Sequence, residues 1–262
     1  MSLFFLCTAV FFSAFFLWRY FTKRKKLTGS RRILLCAAAA LLLLILLALA
    51  WVFASCPAGP EAAKCLASDE SVRVERMEKG WRFDGPGDRA LIFYPGAKVE
   101  AAAYAPLMRA LAAGGLDAFL VEMPLRFAIL NKNAAEKIIG SYEAAEWFLA
   151  GHSLGGVAAA DYAGEHPETI KGLVFLASYP AADVPDGIRA LSIRGDRDGV
   201  MNRERYEANR VHFPAGTEEI ILHGANHAQF GDYGPQSGDN EAQISAAQQQ
   251  AQTVEAILSW IR

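Results

Sequence analysis

The chain has 262 residues, 53% of them hydrophobic, and a formal net charge of -2 at pH 7. This length suits one or two domains. A run of basic residues lies between two apolar segments near the N-terminus, where it indicates a membrane-topology signal and a contact with anionic lipid. We therefore expect no nucleic-acid partner.

The first elements are two apolar segments, residues 3–18 and 33–54. About 20 apolar residues span a bilayer core, so both segments predict transmembrane helices, with a buried core helix as the alternative for the second. A cleaved signal peptide is the alternative for the first, but the basic residues follow the apolar stretch instead of preceding it. Residues 19–32 contain basic residues and no acidic ones, which predicts a cytoplasmic loop.

The predicted organisation is a membrane anchor over residues 1–56 and an outer domain over residues 57–262. The charge pattern places this domain on the extracytoplasmic face of a bacterial-type plasma membrane. In such an oxidising compartment Cys56 and Cys65 are candidates for a disulfide. The residues before Cys56 look like a bacterial lipoprotein cleavage site, so lipidation of Cys56 is the alternative.

Short apolar runs alternate with helical patterns through the outer domain. This alternation predicts an α/β fold with a mainly parallel sheet covered by helices on both faces. The predicted strands are residues 72–76, 81–84, 90–94, 118–122, 147–150, 173–177, 190–194 and 219–222. The predicted helices are residues 101–113, 154–164 and 244–261.

Ser153 is the candidate nucleophile. It lies in the segment Gly-His-Ser-Leu-Gly at 151–155, which matches G-x-S-x-G and has a predicted strand before it and a predicted helix after it. A serine at this turn stands at a helix N-terminus, whose dipole favours the negative charge that develops during attack. The flanking glycines let the strand and the helix pass without a clash between Cβ atoms.

A serine hydroxyl needs a base to take its proton. Of the 5 histidines, His223 and His227 follow the last predicted strand, where this architecture places its base. His227 lies in the loop itself and is the first choice, with His223 as the alternative. The other three, His152, His166 and His212, are expected to be surface or structural histidines.

An acid must orient the histidine, and the chain order in this architecture is serine, acid, histidine. Asp198 follows the predicted strand at 190–194 in a Gly-x-x-Asp position and is the first choice. Asp196 is the alternative, while Asp183 lies too far upstream of the strand. The oxyanion hole is expected to combine the N–H of Leu154 with that of Ala97, in the loop after the strand at 90–94.

Five segments then resemble a small, lidless bacterial branch of the α/β-hydrolase superfamily, akin to dienelactone hydrolases and carboxylesterases. They are Tyr-Pro-Gly-Ala-Lys-Val at 94–99, the turn at 151–156, Ala-Ser-Tyr-Pro at 177–180, Arg-Gly-Asp-Arg-Asp-Gly at 194–199 and Asn-His-Ala-Gln-Phe-Gly-Asp-Tyr-Gly at 226–234. The resemblance covers residues 72–261 and implies a carboxylic ester hydrolase with Ser153, Asp198 and His227 as its triad. The chain departs from the superfamily at Pro95, where a His-Gly pair usually opens the oxyanion loop.

The expected reaction is hydrolysis of a small-molecule or lipid ester, lactone or thioester through an acyl-enzyme. Acyl transfer by the same triad and a non-catalytic surface binding module are the alternatives. Only residues 178–189 separate the strands where a cap usually enters, so we expect an open site. The apolar stretch 124–130 is assigned to the core, with an acyl pocket as the alternative. Neither a metal-ligand pattern nor a phosphate loop occurs, so no metal or cofactor is expected.

Overall fold

The computed structural model describes residue 19 and residues 29–262, and the chain divides into two compact units with a boundary between Ala54 and Ser55. In the first unit, helix α1 occupies Gly29–Phe53 and contains an apolar stretch of 18 residues, Ile33–Ala50, with a mean hydropathy of 3.1. It is the one helix in the described part of the chain with the length and composition to cross a membrane. Such a helix suits a membrane anchor or a signal sequence. The other predicted span, 3–18, lies outside the described residues.

The second unit alternates strands and helices along the chain. Its strands are β1 (Arg73–Met77), β2 (Gly80–Asp84), β3 (Arg89–Tyr94), β4 (Asp117–Val121), β5 (Glu146–His152), β6 (Ile170–Leu176), β7 (Arg189–Gly195) and β8 (Glu218–Leu222). Its helices are α2 (Pro60–Cys65), α3 (Ala105–Ala113), α4 (Ala134–Ile139), α5 (Leu154–Glu165), α6 (Arg203–Asn209) and α7 (Ala246–Ile261). Shorter 3₁₀ turns occupy Ala101–Tyr104, Pro124–Arg126, Ala128–Leu130, Arg210–His212 and Ala228–Phe230.

The eight strands form one sheet in the order β1-β2-β4-β3-β5-β6-β7-β8. β2 pairs antiparallel with β1 and with β4, and all the other neighbouring strands are parallel. The carboxyl ends of the parallel strands therefore meet at one edge of the sheet. The predicted class, a mainly parallel α/β sheet, is confirmed.

The central strands β3, β4 and β5 are buried along nearly their whole length because helices cover both faces of the sheet. In β3 all five residues from Ala90 to Tyr94 are buried. On one face Leu107 and Met108 of α3 and Trp260 of α7 belong to the core, and on the other face Tyr162 of α5 does. The domain is therefore a three-layer sandwich with a core on each side of the sheet.

The predicted helix at 101–113 is divided in the structure. A 3₁₀ turn covers Ala101–Tyr104, and α3 begins at Ala105, with Pro106 in its first turn. Proline lacks a backbone N–H and is tolerated in the first turn of an α-helix but not in its interior, so α3 starts at this point. The short helices α2, α4 and α6 were not predicted.

The assignment of the stretch 124–130 to the core was wrong for most of its residues, and only Ala128 is buried there. Leu125, Ile129 and Leu130 are 48%, 54% and 55% exposed. Leu125 and Arg126 have positive φ values of 50° and 62°, so the backbone turns sharply after β4 and directs side chains outward. By contrast, the connection at 177–188 between β6 and β7 contains no helix, in agreement with the open site that was expected.

Cys56 and Cys65 are both free thiols, so the hypothesised disulfide is absent. The backbone holds each cysteine against a different part of the domain. Cys56 pairs with Val99 in a parallel bridge, and its N–H donates to the Lys98 carbonyl at 2.7 Å. Cys65 ends α2, where its carbonyl accepts from the Arg109 guanidinium at 3.2 Å.

Candidate active site

Ser153 is the single residue between β5 and α5. Its backbone has φ 52° and ψ -125°, a region that residues with a Cβ seldom adopt. A Cβ at Gly155 would lie 2.1 Å from the Tyr94 carbonyl oxygen and 2.5 Å from that of Pro95. The glycine therefore allows the N-terminus of α5 to approach the end of β3, and the serine is held at a sharp strand-to-helix turn.

Three hydrogen bonds hold Ser153 in this conformation. Its N–H donates to the Leu176 carbonyl at 2.9 Å. Its carbonyl accepts from the Ser178 hydroxyl at 2.6 Å and from the Gly156 N–H at 3.0 Å. A strained backbone persists only where its surroundings determine it in this way.

The structure brings Asp198 and His227 together in a buried pair. His227 Nδ1 lies 2.8 Å from Asp198 Oδ2, and the two side chains are 1% and 2% exposed. Because a carboxylate accepts hydrogen bonds, Nδ1 carries the proton and Nε2 presents a lone pair. Nε2 is buried and has no hydrogen-bond partner among the described residues, Ser153 Oγ included. Catalytic hydrogen bonds are often long without substrate and tighten in the complex.

Both oxygens of Asp198 are occupied. Oδ2 faces His227, and Oδ1 accepts from the N–H groups of Val200 at 2.9 Å and Met201 at 2.8 Å. Burial opposes ionisation, but the hydrogen bonds from His227 and from the two backbone N–H groups outweigh it. The pKa of Asp198 is therefore lowered, and the carboxyl is ionised beside the imidazole.

The alternative residues pair with each other at the surface. His223 Nδ1 lies 3.0 Å from Asp196 Oδ2, and these side chains are 89% and 38% exposed. Asp196 also accepts from the Gly224 N–H at 2.8 Å, as a turn residue does. Two of the other histidines have partners away from the site: His212 contacts Asp183, and His166 lies against the Tyr162 ring.

The two expected oxyanion donors are backbone groups in adjoining segments. Leu154 is the first residue of α5, and Ala97 lies in the loop after β3. Neither N–H donates a hydrogen bond to another described residue. The next residue, Lys98, has a φ of 62° and donates its N–H to the Arg126 carbonyl at 2.8 Å, which fixes the turn of the loop.

Comparison with known proteins agrees with this geometry. Residues 90–251 match the family described as "Alpha/beta hydrolase family", over more than half of the chain. The chain belongs to the alpha/beta hydrolase family. The matched region contains Ser153, Asp198 and His227. No curated protein matched the sequence in the corresponding search.

Solved structures of alpha/beta hydrolase type show the same fold. A dienelactone hydrolase from Anabaena variabilis is 16% identical with a TM-score of 0.55, covering 73% of this chain and 97% of that one. A novel esterase from Mycobacterium tuberculosis is 14% identical with a TM-score of 0.55, covering 76% and 94%. Est1E from Butyrivibrio proteoclasticus is 13% identical with a TM-score of 0.51, covering 73% and 99%. At these identities the likeness concerns the fold alone.

In this hydrolase Gln249 holds the loop that carries His227, and sequence reasoning missed it. Gln249 is fully buried in α7. Its Oε1 accepts from the Asn226 N–H at 3.1 Å, and its Nε2 donates to the Asn226 carbonyl at 2.8 Å. The side chain thus fixes both backbone groups of the residue before the base. Nothing in the local sequence marks it, because its partner lies on another element.

Asp239, also missed, joins the loop of the acid to the loop of the base. Its Oδ1 accepts from the Gly199 N–H at 3.0 Å, and its Oδ2 accepts from the Ala228 N–H at 2.9 Å. Gly199 follows Asp198 and Ala228 follows His227, so one carboxylate sets the spacing of the two loops.

An apolar loop lies beside the expected oxyanion donor. This segment, the 124–130 loop, exposes the apolar side chains of Leu125, Ile129 and Leu130. A cavity of ≈ 520 Å³ beside this loop has a mixed lining, which includes the apolar Pro95, Met123 and Leu125 and the charged Glu100, Glu122 and Arg126. Among the described residues, no group of three His, Cys, Asp or Glu side chains is arranged to hold a metal.

Proposed function

We propose that this protein is a serine hydrolase that cleaves a carboxylic ester, lactone or thioester through an acyl-enzyme. The observation that carries the proposal is the buried Asp198–His227 pair, with Nδ1 protonated and Nε2 left as a buried lone pair. A general base needs such a lone pair, because it receives the proton there. The carboxylate on Nδ1 distinguishes His227 from His152, whose Nδ1 faces a tyrosine hydroxyl.

In the proposed mechanism, His227 Nε2 takes the proton of the Ser153 hydroxyl while Oγ attacks the carbonyl carbon of the substrate. The C–O or C–S bond to the leaving group breaks as the imidazolium returns the proton to that group. Water, deprotonated by the same nitrogen, then attacks the acyl carbon. The bond from that carbon to Ser153 Oγ breaks, the imidazolium returns the proton to Oγ, and the acid leaves. Asp198, ionised in the folded protein, stabilises the imidazolium at both stages.

The N–H groups of Leu154 and Ala97 are proposed to bind the oxyanion. Both are free of other partners in the described structure, and Leu154 adds the positive end of the α5 dipole. Backbone donors of this kind need no reorganisation during the reaction. Loss of one such donor costs about 10²- to 10³-fold in turnover in serine hydrolases.

We propose that the substrate carries an apolar acyl group and that the enzyme binds it at a membrane surface. The exposed apolar side chains of the 124–130 loop, Leu125, Ile129 and Leu130, suit such a group. The apolar stretch Ile33–Ala50 of α1 suits an anchor. With the predicted span at 3–18 and the basic residues between, the charge pattern favours an extracytoplasmic hydrolase domain.

The test is hydrolysis of p-nitrophenyl esters from acetate to palmitate by the full-length chain in detergent, beside Ser153→Ala and the exposed control Ser141→Ala. We expect activity in the parent and in Ser141→Ala, and none above background in Ser153→Ala. An optimum at long chains is expected from the apolar loop. Transfer of the acyl group to an added alcohol in preference to water would reassign the enzyme as an acyltransferase. Absence of activity and of fluorophosphonate labelling would favour a binding module.

A further inference from the structure

A buried pair, Tyr104 and His152, lies between the oxyanion loop, the serine turn and the base. Both residues are inaccessible or nearly so, at 0% and 1% exposure. Tyr104 Oη lies 2.7 Å from His152 Nδ1 and accepts the Gly96 N–H at 3.2 Å. The proposed mechanism assigns no role to either side chain.

The hydrogen bonds determine where the protons are. The Tyr104 oxygen accepts the Gly96 N–H, and among the described residues only His152 Nδ1 is placed to accept the hydroxyl proton, so that proton is directed to Nδ1. Burial raises the pKa of Tyr104 above its ordinary value, so the phenol stays protonated and remains a donor. His152 is then neutral, with its ring proton on Nε2.

The His152 ring also lies against the base. Its centroid is 4.4 Å from that of the His227 ring and 5.6 Å from that of Phe230. Burial, reinforced by His227, lowers the pKa of His152 well below its ordinary value. A neutral ring supports His227 sterically without repelling the imidazolium that forms there during the reaction.

The fit at Gly96 shows how closely the parts are packed. A Cβ at this position would lie 2.7 Å from His152 Nδ1 and 3.0 Å from Tyr104 Oη. Gly96 directly precedes Ala97, the proposed oxyanion donor. The same hydroxyl therefore holds the oxyanion loop through Gly96 and the serine turn through His152.

We propose that Tyr104 and His152 are positioning residues that set the oxyanion loop and the base relative to Ser153. The inference rests on the proposed function, since it concerns the geometry of that reaction. Neither side chain is assigned a proton-transfer step. The Tyr104 hydroxyl and the neutral His152 imidazole together fix the relative positions of the oxyanion loop, the serine turn and the base.

Tyr104→Phe removes the hydroxyl and keeps the ring. We expect kcat for p-nitrophenyl ester hydrolysis by the full-length chain to fall about 10-fold with KM changed less than about twofold, because the oxyanion loop is displaced while the substrate still binds. The matched control is Tyr206→Phe, which also removes a buried hydroxyl with two partners, Ser192 and Glu219, away from the site. The control is expected to keep kcat even where both variants unfold at lower temperature.

Coupling of the two residues is tested with His152. We expect His152→Leu also to lower kcat, and the loss in the double variant to be smaller than the sum of the two single losses, since both variants break the bond between Tyr104 Oη and His152 Nδ1. His152→Asn, whose Oδ1 can accept from Tyr104 in place of Nδ1, is expected to recover most of kcat. Additive losses, an unchanged kcat in Tyr104→Phe, or an equal loss in Tyr206→Phe would overturn the inference.

A substrate-free measurement separates this inference from the proposed function. ¹⁵N NMR of the histidine rings in the full-length chain, assigned with His152→Asn, is expected to show His152 protonated at Nε2 alone at neutral pH. Protonation at Nδ1 would overturn the inference. A parent chain that shows the expected tautomer but neither hydrolyses esters nor reacts with a fluorophosphonate would instead refute the proposed function, and with it any role of the pair in catalysis.

Discussion

Replacing Asp198 with asparagine changes the proton on the base while preserving the shape of the site. Asp198 Oδ1 accepts from two backbone N–H groups, those of Val200 and Met201. The carbonyl oxygen of asparagine must take that position, because an amide NH₂ cannot accept. The NH₂ group is then left facing His227 Nδ1, 2.8 Å away in the parent.

The consequence for the base follows from this geometry. Facing a donor, His227 Nδ1 becomes an acceptor and its proton moves to Nε2, which can no longer take the proton of Ser153. In serine hydrolases this change of tautomer lowers kcat about 10⁴-fold. That factor corresponds to about 5.5 kcal/mol of transition-state free energy.

The assay is kcat for p-nitrophenyl ester hydrolysis by the full-length chain, with Asp196→Asn as the matched control. Asp196 makes the equivalent pair with His223, but the two side chains are 38% and 89% exposed. The control is expected to retain activity within about twofold, as for surface pairs of small energy. Activity of Asp198→Asn within tenfold of the parent, or an equal loss in Asp196→Asn, would refute the reasoning.

Three further predictions concern stability and packing. Folding lowers the pKa of Asp198, so its carboxylate stabilises the folded protein above the unfolded-state pKa of about 3.9, and this stability is lost as the pH falls through the folded-state pKa. The difference in urea midpoint between the parent and Asp198→Asn should therefore become smaller on acidification. A larger difference at low pH would contradict this prediction. Gln249→Leu leaves the N–H and the carbonyl of Asn226 buried without partners, and should cost about 2–6 kcal/mol in urea unfolding; an unchanged midpoint would contradict this. Gly155→Ala places a Cβ 2.1 Å from a backbone oxygen and should abolish activity, whereas Gly187→Ala, with nothing within 4 Å of its Cβ, should be neutral; an active Gly155→Ala would refute the packing argument.

The parts of the fold that could be predicted are those with a local physical signal. Strands such as β3 and β4 are covered on both faces, so their sequences are continuous apolar runs. Ser153 lies in a short motif whose glycines are required by close packing. The preference for Asp198 over Asp196 followed from its position after a strand, and the structure gives those two residues different surroundings, one buried and one exposed.

The parts that could not be predicted depend on partners far away in the sequence. Gln249 of α7 bonds to Asn226 in the loop after β8, and Tyr104, in the turn before α3, bonds to His152 at the end of β5. Neither residue carries a motif, because a buried polar group is recognisable only once its partner is known. The 124–130 loop was misassigned because an apolar run does not reveal backbone turns such as the positive φ at Leu125.

The central claim is that Ser153 is the nucleophile of an esterase, and the most direct test is covalent labelling joined to turnover. Full-length parent and Ser153→Ala would be treated with a fluorophosphonate probe, and the labelled residue located by mass spectrometry while ester hydrolysis is followed in parallel. We expect a single label, on Ser153, and a loss of ester hydrolysis in proportion to the fraction of protein labelled. Ser153→Ala should show neither labelling nor hydrolysis. Hydrolysis that persists in Ser153→Ala, or a label on another residue, would contradict it.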